Sequence, residues 1–112
     1  MTLTINTHRL PEPTMAIAIE PQGAIGAEAD AELLQDRFIM VLAATHPERI
    51  VLDLSAVPSI SEAGIGALVN GFDLAAASDA SVTVVQPERQ VREQLQRRGL
   101  DVLVDHDRSR KV

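Results

Sequence analysis

Apolar and polar residues alternate with period two at two places near the start of the chain, LTINT at residues 3 to 7 and MAIAIE at residues 15 to 20. Successive side chains of a strand point to opposite faces, so each stretch predicts a short strand, and Pro11 and Pro13 between them predict the turn of a hairpin. After the turn at Pro21 to Gly23 the period lengthens. Leu34, Phe38, Val41 and Leu42 share one face of a predicted helix from Glu28 to Ala44, while Asp30, Glu32 and Asp36 turn to water. Asp30 is its predicted cap. HPER punctuates, and Ile50, Val51, Leu52 and Leu54 then form a nearly continuous apolar run, which predicts a central strand buried on both faces. Ile65, Leu68, Val69, Phe72 and Ala76 recur at helical spacing in an alanine-rich segment that ends near Ser78 and Asp79. SVTVVQ is a β-branched strand, and Pro87 and Gly99 bracket a third helix whose apolar face is Val91 and Leu95. A last strand is expected near Val102 to Val104. This order predicts an α/β fold: a mixed, mostly parallel sheet with an N-terminal hairpin and flanking helices. No internal repeat interrupts it, so residues 1 to 107 are taken as a single domain and 108 to 112 as a charged tail.

Composition narrows the function. Apolar residues make up 46% and charged ones 23% of 112 residues, the balance of a chain that folds alone around one core. Apolar runs fall well short of the roughly 20 residues a membrane helix needs, and MTLTINTHRL lacks the basic-then-apolar plan of a leader, so a cytoplasmic protein without membrane contact is expected. The absence of cysteine excludes thiol chemistry and thiolate metal sites. Of the ten basic residues, only Arg9, Arg37 and Arg49 precede residue 87, leaving an acidic body with net charge -6 and a mixed C-terminal end. With aromatics at 2% and no dense basic face, direct nucleic-acid binding is not expected. His8, His46 and His106 are far apart, with no pair at the i, i+4 spacing of a helical zinc site, and no histidine is placed to serve a serine nucleophile. Neither an enzyme nor a bound cofactor is expected.

The remaining candidate is PSISEAGIG, residues 58 to 66, where the central strand hands over to the alanine-rich helix. Ser59-Ile-Ser-Glu62 has the form of a capping box, in which a serine and a glutamate three residues later satisfy orphan N–H groups reciprocally. Ser61 is an alternative cap. Gly64 and Gly66 permit close approach, either of a neighbouring segment inside the fold or of a docking partner, with internal packing favoured. They fit neither a dinucleotide fingerprint nor a Walker loop. Asp53 is expected to bond the following loop backbone rather than to act as a buried acid.

IVLDLSAVPSISEAGIGALV resembles the central segment of the STAS domain family, whose strand carries Asp-Leu-Ser and whose next helix opens on Asp-Ser-Ser-Gly-Leu-Gly. Asp53, Leu54, Ser55, Gly64 and Gly66 match, and VTVVQPERQVREQLQRRGLD is similar to the family's closing strand and helix, so the resemblance spans roughly residues 15 to 107. It implies a protein-interaction module like the anti-sigma factor antagonists, which bind an anti-sigma factor of the histidine-kinase-like ATPase type and so free a sigma factor. The resemblance places the docking surface at Pro58, Ser59, Ser61, Glu62, Ala63 and Gly64. In the regulatory branch the second residue of Asp-Ser-Ser-Gly is the phosphoacceptor. Aligned on Gly64, that position is Glu62, which no kinase can phosphorylate, while Ser61 stands for the Asp and Ala63 for the second Ser. Gly26 likewise stands where the family's earlier turn has Asp. A binding module without the usual serine switch is therefore expected, with Ser61 an alternative phosphoacceptor. Two further readings stay open: a structural subunit of a larger assembly, such as a stressosome or a lipid-transport ABC complex, and homodimerisation through the first strand's edge.

Overall fold

The computed structural model describes residues 3 to 104. Strands β1 (Thr4–Arg9) and β2 (Ala16–Gln22) form the expected antiparallel hairpin, running in register from Thr4 opposite Gln22 to Arg9 opposite Ile17. The proline-bearing turn is held to the body by Arg49, whose Nη1 donates to both carboxylate oxygens of Glu12 at 3.0 and 2.8 Å. Helix α1 (Glu28–Thr45) leads to β3 (Arg49–Asp53), α2 (Glu62–Ala77) to β4 (Ser81–Val85), and α3 (Arg89–Arg97) follows. The sheet order is β1-β2-β3-β4, with β2, β3 and β4 mutually parallel. This is the mixed, mostly parallel α/β arrangement that the periodicity predicts.

Helix α1 and helix α2 pack side by side, and the reason lies in small residues facing large ones. A side chain on Gly71 of α2 would meet the Phe38 ring of α1 at 2.7 to 2.9 Å, so the missing Cβ is what lets the ring lie against the helix. Phe38 also meets Phe72 edge to face, with centroids 6.2 Å apart. Leu34 and Phe38 from α1, Ile65 and Leu68 from α2, and Val91 and Leu95 from α3 join Ile19, Ile50, Leu52 and Val84 of the sheet in one core. Val51 is buried as well, outside that cluster, so β3 is covered on both sides as its unbroken apolar run predicts.

Three helix ends depart from or refine the sequence expectation. Asp30 is not the cap of α1: Ala27 holds that position, and Asp30 three residues on reaches back to accept from Ala27 N at 3.2 Å and Gly26 N at 3.4 Å. It satisfies orphan donors from inside the first turn instead of from in front of it. Helix α2 closes by a Schellman arrangement in which Asp79 N donates to Ala76 O at 3.1 Å and Ala80 N to Ala75 O at 2.8 Å. Asp79 takes the left-handed conformation this requires, φ 61°. Gly99 does the same after α3, φ 71°, as expected.

The last strand, expected near Val102 to Val104, does not form. Leaving Gly99, the chain turns through a 3-10 segment, Leu100–Leu103, and only Val104 meets β4, in a single parallel bridge to Val84. The left-handed exit at Gly99 starts a tight turn, so Leu100 and Leu103 pack half-buried against the core from a coiled segment instead of an extended one. The charged tail, residues 108 to 112, lies outside the described residues, as does His106.

Candidate functional site

The segment between β3 and α2 is built by backbone pairing with the segment between β2 and α1. Gly23 N donates to Ala56 O at 3.0 Å, Ile25 N to Ser59 O at 3.0 Å, and Ser61 N to Ile25 O at 2.9 Å. Ile25 and Ile60 thereby form a short parallel bridge beyond the end of the sheet. Each of those polar backbone groups is satisfied, so the loop is held as an extension of the sheet. Val57 and Ile60 plug it into the core, at 0% and 3% exposure, which leaves Pro58 and Ser59 standing out in solvent between two buried anchors.

Gly64 is what allows the anchor to seat. A Cβ there would lie 2.6 Å from Ile60 Cγ1, 2.8 Å from Ile25 Cγ2 and 3.0 Å from the Ile25 carbonyl oxygen. Gly66 is different, with nothing within 4 Å of where its Cβ would be. Internal packing thus accounts for the first glycine and not for the second. Asp53 accepts from Ser55 N at 2.9 Å through Oδ1, the loop-bonding role expected of it.

The capping box expected from Ser59 to Glu62 does not form. Ser61 is the N-cap, and its Oγ accepts from Gly64 N at 3.2 Å. Ser59 cannot serve, because its carbonyl is committed to Ile25 and the chain is still extended until Ser61, φ -93° and ψ 176°. Glu62 therefore occupies the first helical position instead of the third. Its side chain is 80% exposed, beside the free N–H groups of α2, where the helix dipole favours a negative charge. Ala63 is half-buried and Gly64 buried, so of the predicted site residues Pro58, Ser59 and Glu62 form the accessible surface, with Ser61 half-buried behind them.

Two residues of the site come from α3, and sequence reasoning missed both. Arg98, the residue closing α3, pairs through Nη2 with Glu62 Oε1. Gln90 Oε1 accepts from Ile60 N at 3.2 Å. They lie 36 and 30 residues along the chain from their partners, so no local spacing signals the contacts; only the fold, which brings the ends of α3 to the β3–α2 loop and the first residue of α2, creates them. Among the described residues, no group of three or more His, Cys, Asp or Glu is arranged to hold a metal ion.

The fold and this strand-end loop define the class: an α/β domain on one four-stranded mixed sheet, presenting a helix N-terminus and its preceding loop to solvent. The STAS domain family model matches residues 9–111, and the chain belongs to that family. Among solved structures, it is similar to an anti-sigma factor antagonist from Mycobacterium paratuberculosis, with TM-score 0.79, 20% identity and coverage of 96% of this chain and 91% of that one. The unphosphorylated anti-sigma factor antagonist SpoIIAA gives TM-score 0.75 at 12% identity, covering 96% and 92%. A sulfate transporter family protein from Wolinella succinogenes gives 0.63 at 19%, covering 78% and 73%. At these identities the likeness is one of fold. Comparison with curated protein sequences finds no match. Among the described residues, no helix is long and apolar enough to cross a membrane.

Proposed function

We propose that the chain is a non-enzymatic, cytoplasmic protein-docking module of the anti-sigma factor antagonist kind. It binds an anti-sigma factor of the histidine-kinase-like ATPase type through Pro58, Ser59, Ser61 and Glu62, without a serine phosphorylation cycle. The observation that carries this reading is the exposed carboxylate of Glu62 at the first position of α2, where the family resemblance expects a phosphoacceptor hydroxyl. A phosphoserine would bring about -1.5 to -2 charges and three acceptor oxygens, whereas glutamate brings one charge and two oxygens. Arg98 offsets even that single charge. The loop then offers a partner a paired, nearly neutral surface, closer to an unmodified serine than to a phosphorylated one. Ser61 is a poor alternative acceptor, since its hydroxyl is engaged as the cap and half-buried.

Because like charges meeting across an interface cost several kcal/mol, removing Arg98 should convert the loop towards the phosphorylated state. The test is affinity capture of an ATPase of this type on the immobilised domain, followed by titration of Arg98→Ala and the double variant Glu62→Ala/Arg98→Ala. The reading expects weaker binding by the single variant and recovery by the double one; no binding of such an ATPase to any form contradicts it.

A second reading, a structural subunit of a larger assembly such as a stressosome or lipid-transport ABC complex, is favoured by one observation. The loop carries a carboxylate, paired with Arg98, where a reversible switch would need a hydroxyl. Copurification with a transporter ATPase in place of a kinase-like one selects it. Homodimerisation through β1 remains an alternative in either setting, although Arg37 Nη1 donates to the Ile5 carbonyl at 2.7 Å and so occupies one acceptor of that strand.

A further inference from the structure

The C-terminal ends of α1 and α2 enclose an apolar groove that the docking loop does not use. Ile39, Leu42, Ala43 and His46 on one side and Leu74 and Ser78 on the other line a cavity of about 250 Å³. Ile39 is 46% and Leu74 37% exposed, so the groove is open to solvent. Its surroundings carry one sign of charge. Glu32 and Asp36, seven and three residues before Ile39, continue the α1 stripe that forms the groove wall, and Asp73 and Asp79 flank Leu74 and Ser78; all four are exposed. The one basic residue of the two helices, Arg37, donates to Ile5 in β1, away from the groove.

Charge discriminates among the occupants such a groove could take. A second copy would bring a second set of the same carboxylates to an already acidic rim, and an anionic lipid surface would be repelled, whereas a cationic helix with an apolar stripe gains from both the groove and its rim. We propose that this groove receives a Lys/Arg-rich amphipathic helix of a partner protein, its apolar side chains at i, i+3 and i+4 entering between Ile39 and Leu74. The groove lies at the opposite end of α2 from Glu62, and 16 helical residues span about 24 Å, so the loop and the groove can be engaged at once.

The probe is a helical peptide of about 15 residues patterned with leucine and lysine, titrated into the isotope-labelled domain while backbone amide shifts are followed. Its leucine/glutamate counterpart serves as the control. The expected result is saturable binding of the lysine peptide alone, with shifts concentrated at Ile39, Ala43, His46, Leu74 and Ser78. Leu74→Lys should weaken it about tenfold. Ile39→Lys supplies an independent variant on the facing helix should the first fail to fold. Shifts scattered over the acidic surface, equal binding of the glutamate peptide, or a concentration-dependent dimer that buries these residues would each overturn the proposal.

Discussion

Glu62 and Arg98 stand 80% and 44% exposed, and that exposure decides what their pairing does. Exposed ion pairs contribute on the order of 0.2 to 1 kcal/mol to folding, so the pair matters little for stability and much for what a partner meets. Arg98→Ala is accordingly expected to shift the urea midpoint only slightly while adding one unit of net negative charge to the loop. Ser61 is the reverse case, a residue whose role is local and energetic. Ser61→Ala should cost about 1 kcal/mol, the usual loss for an N-cap hydroxyl, while Ser59→Ala should be close to neutral; chemical denaturation of the two variants separates them. The sequence alone could not choose between these serines. Both have cap chemistry, and Ser59 with Glu62 even satisfies the capping-box spacing; the choice is made by Ile25, which takes the Ser59 carbonyl and the Ser61 N–H into a parallel bridge from another part of the chain.

At the level of elements, the two glycines of α2's first turns are expected to respond oppositely to the same change. Gly64→Ala forces a Cβ against Ile60 and Ile25 and should destabilise by about 1 to 3 kcal/mol, the usual cost of overpacking. Gly66→Ala meets open space in a helix and should stabilise by about 0.5 to 1 kcal/mol, so thermal unfolding of the pair gives shifts of opposite sign. Asp79 offers a third case. It holds a left-handed conformation at the close of α2, and its carboxylate sits at the negative end of the helix dipole. Asp79→Gly relieves both and is expected to raise stability by about 0.5 to 1 kcal/mol at neutral pH. The elements themselves were largely legible, because the period of Leu34, Phe38, Val41 and Leu42, the run of Ile50 to Leu54 and the Pro87 and Gly99 brackets each name one structure. Val102 to Val104 misled, since a short apolar run after a left-handed glycine fits a 3-10 turn as well as a strand.

For the whole molecule, the hairpin and two parallel crossovers make a rigid scaffold whose β2–α1 and β3–α2 loops meet at one end, with α3 laid beside them. The acidic body and the mixed-charge C-terminal stretch, distant features in the sequence, come together there as Glu62 and Arg98. That meeting is tertiary and was not legible; the loop itself was, from two serines, a carboxylate and a glycine at a strand-to-helix passage. The central claim is that this loop binds its partner with no phosphorylation switch. The most direct measurement is to incubate the domain with the captured ATPase and ATP, then record the intact mass of the domain and its affinity together. Unchanged mass and unchanged affinity are expected. Transfer of a phosphoryl group to Ser59 or Ser61 with loss of the complex would contradict it.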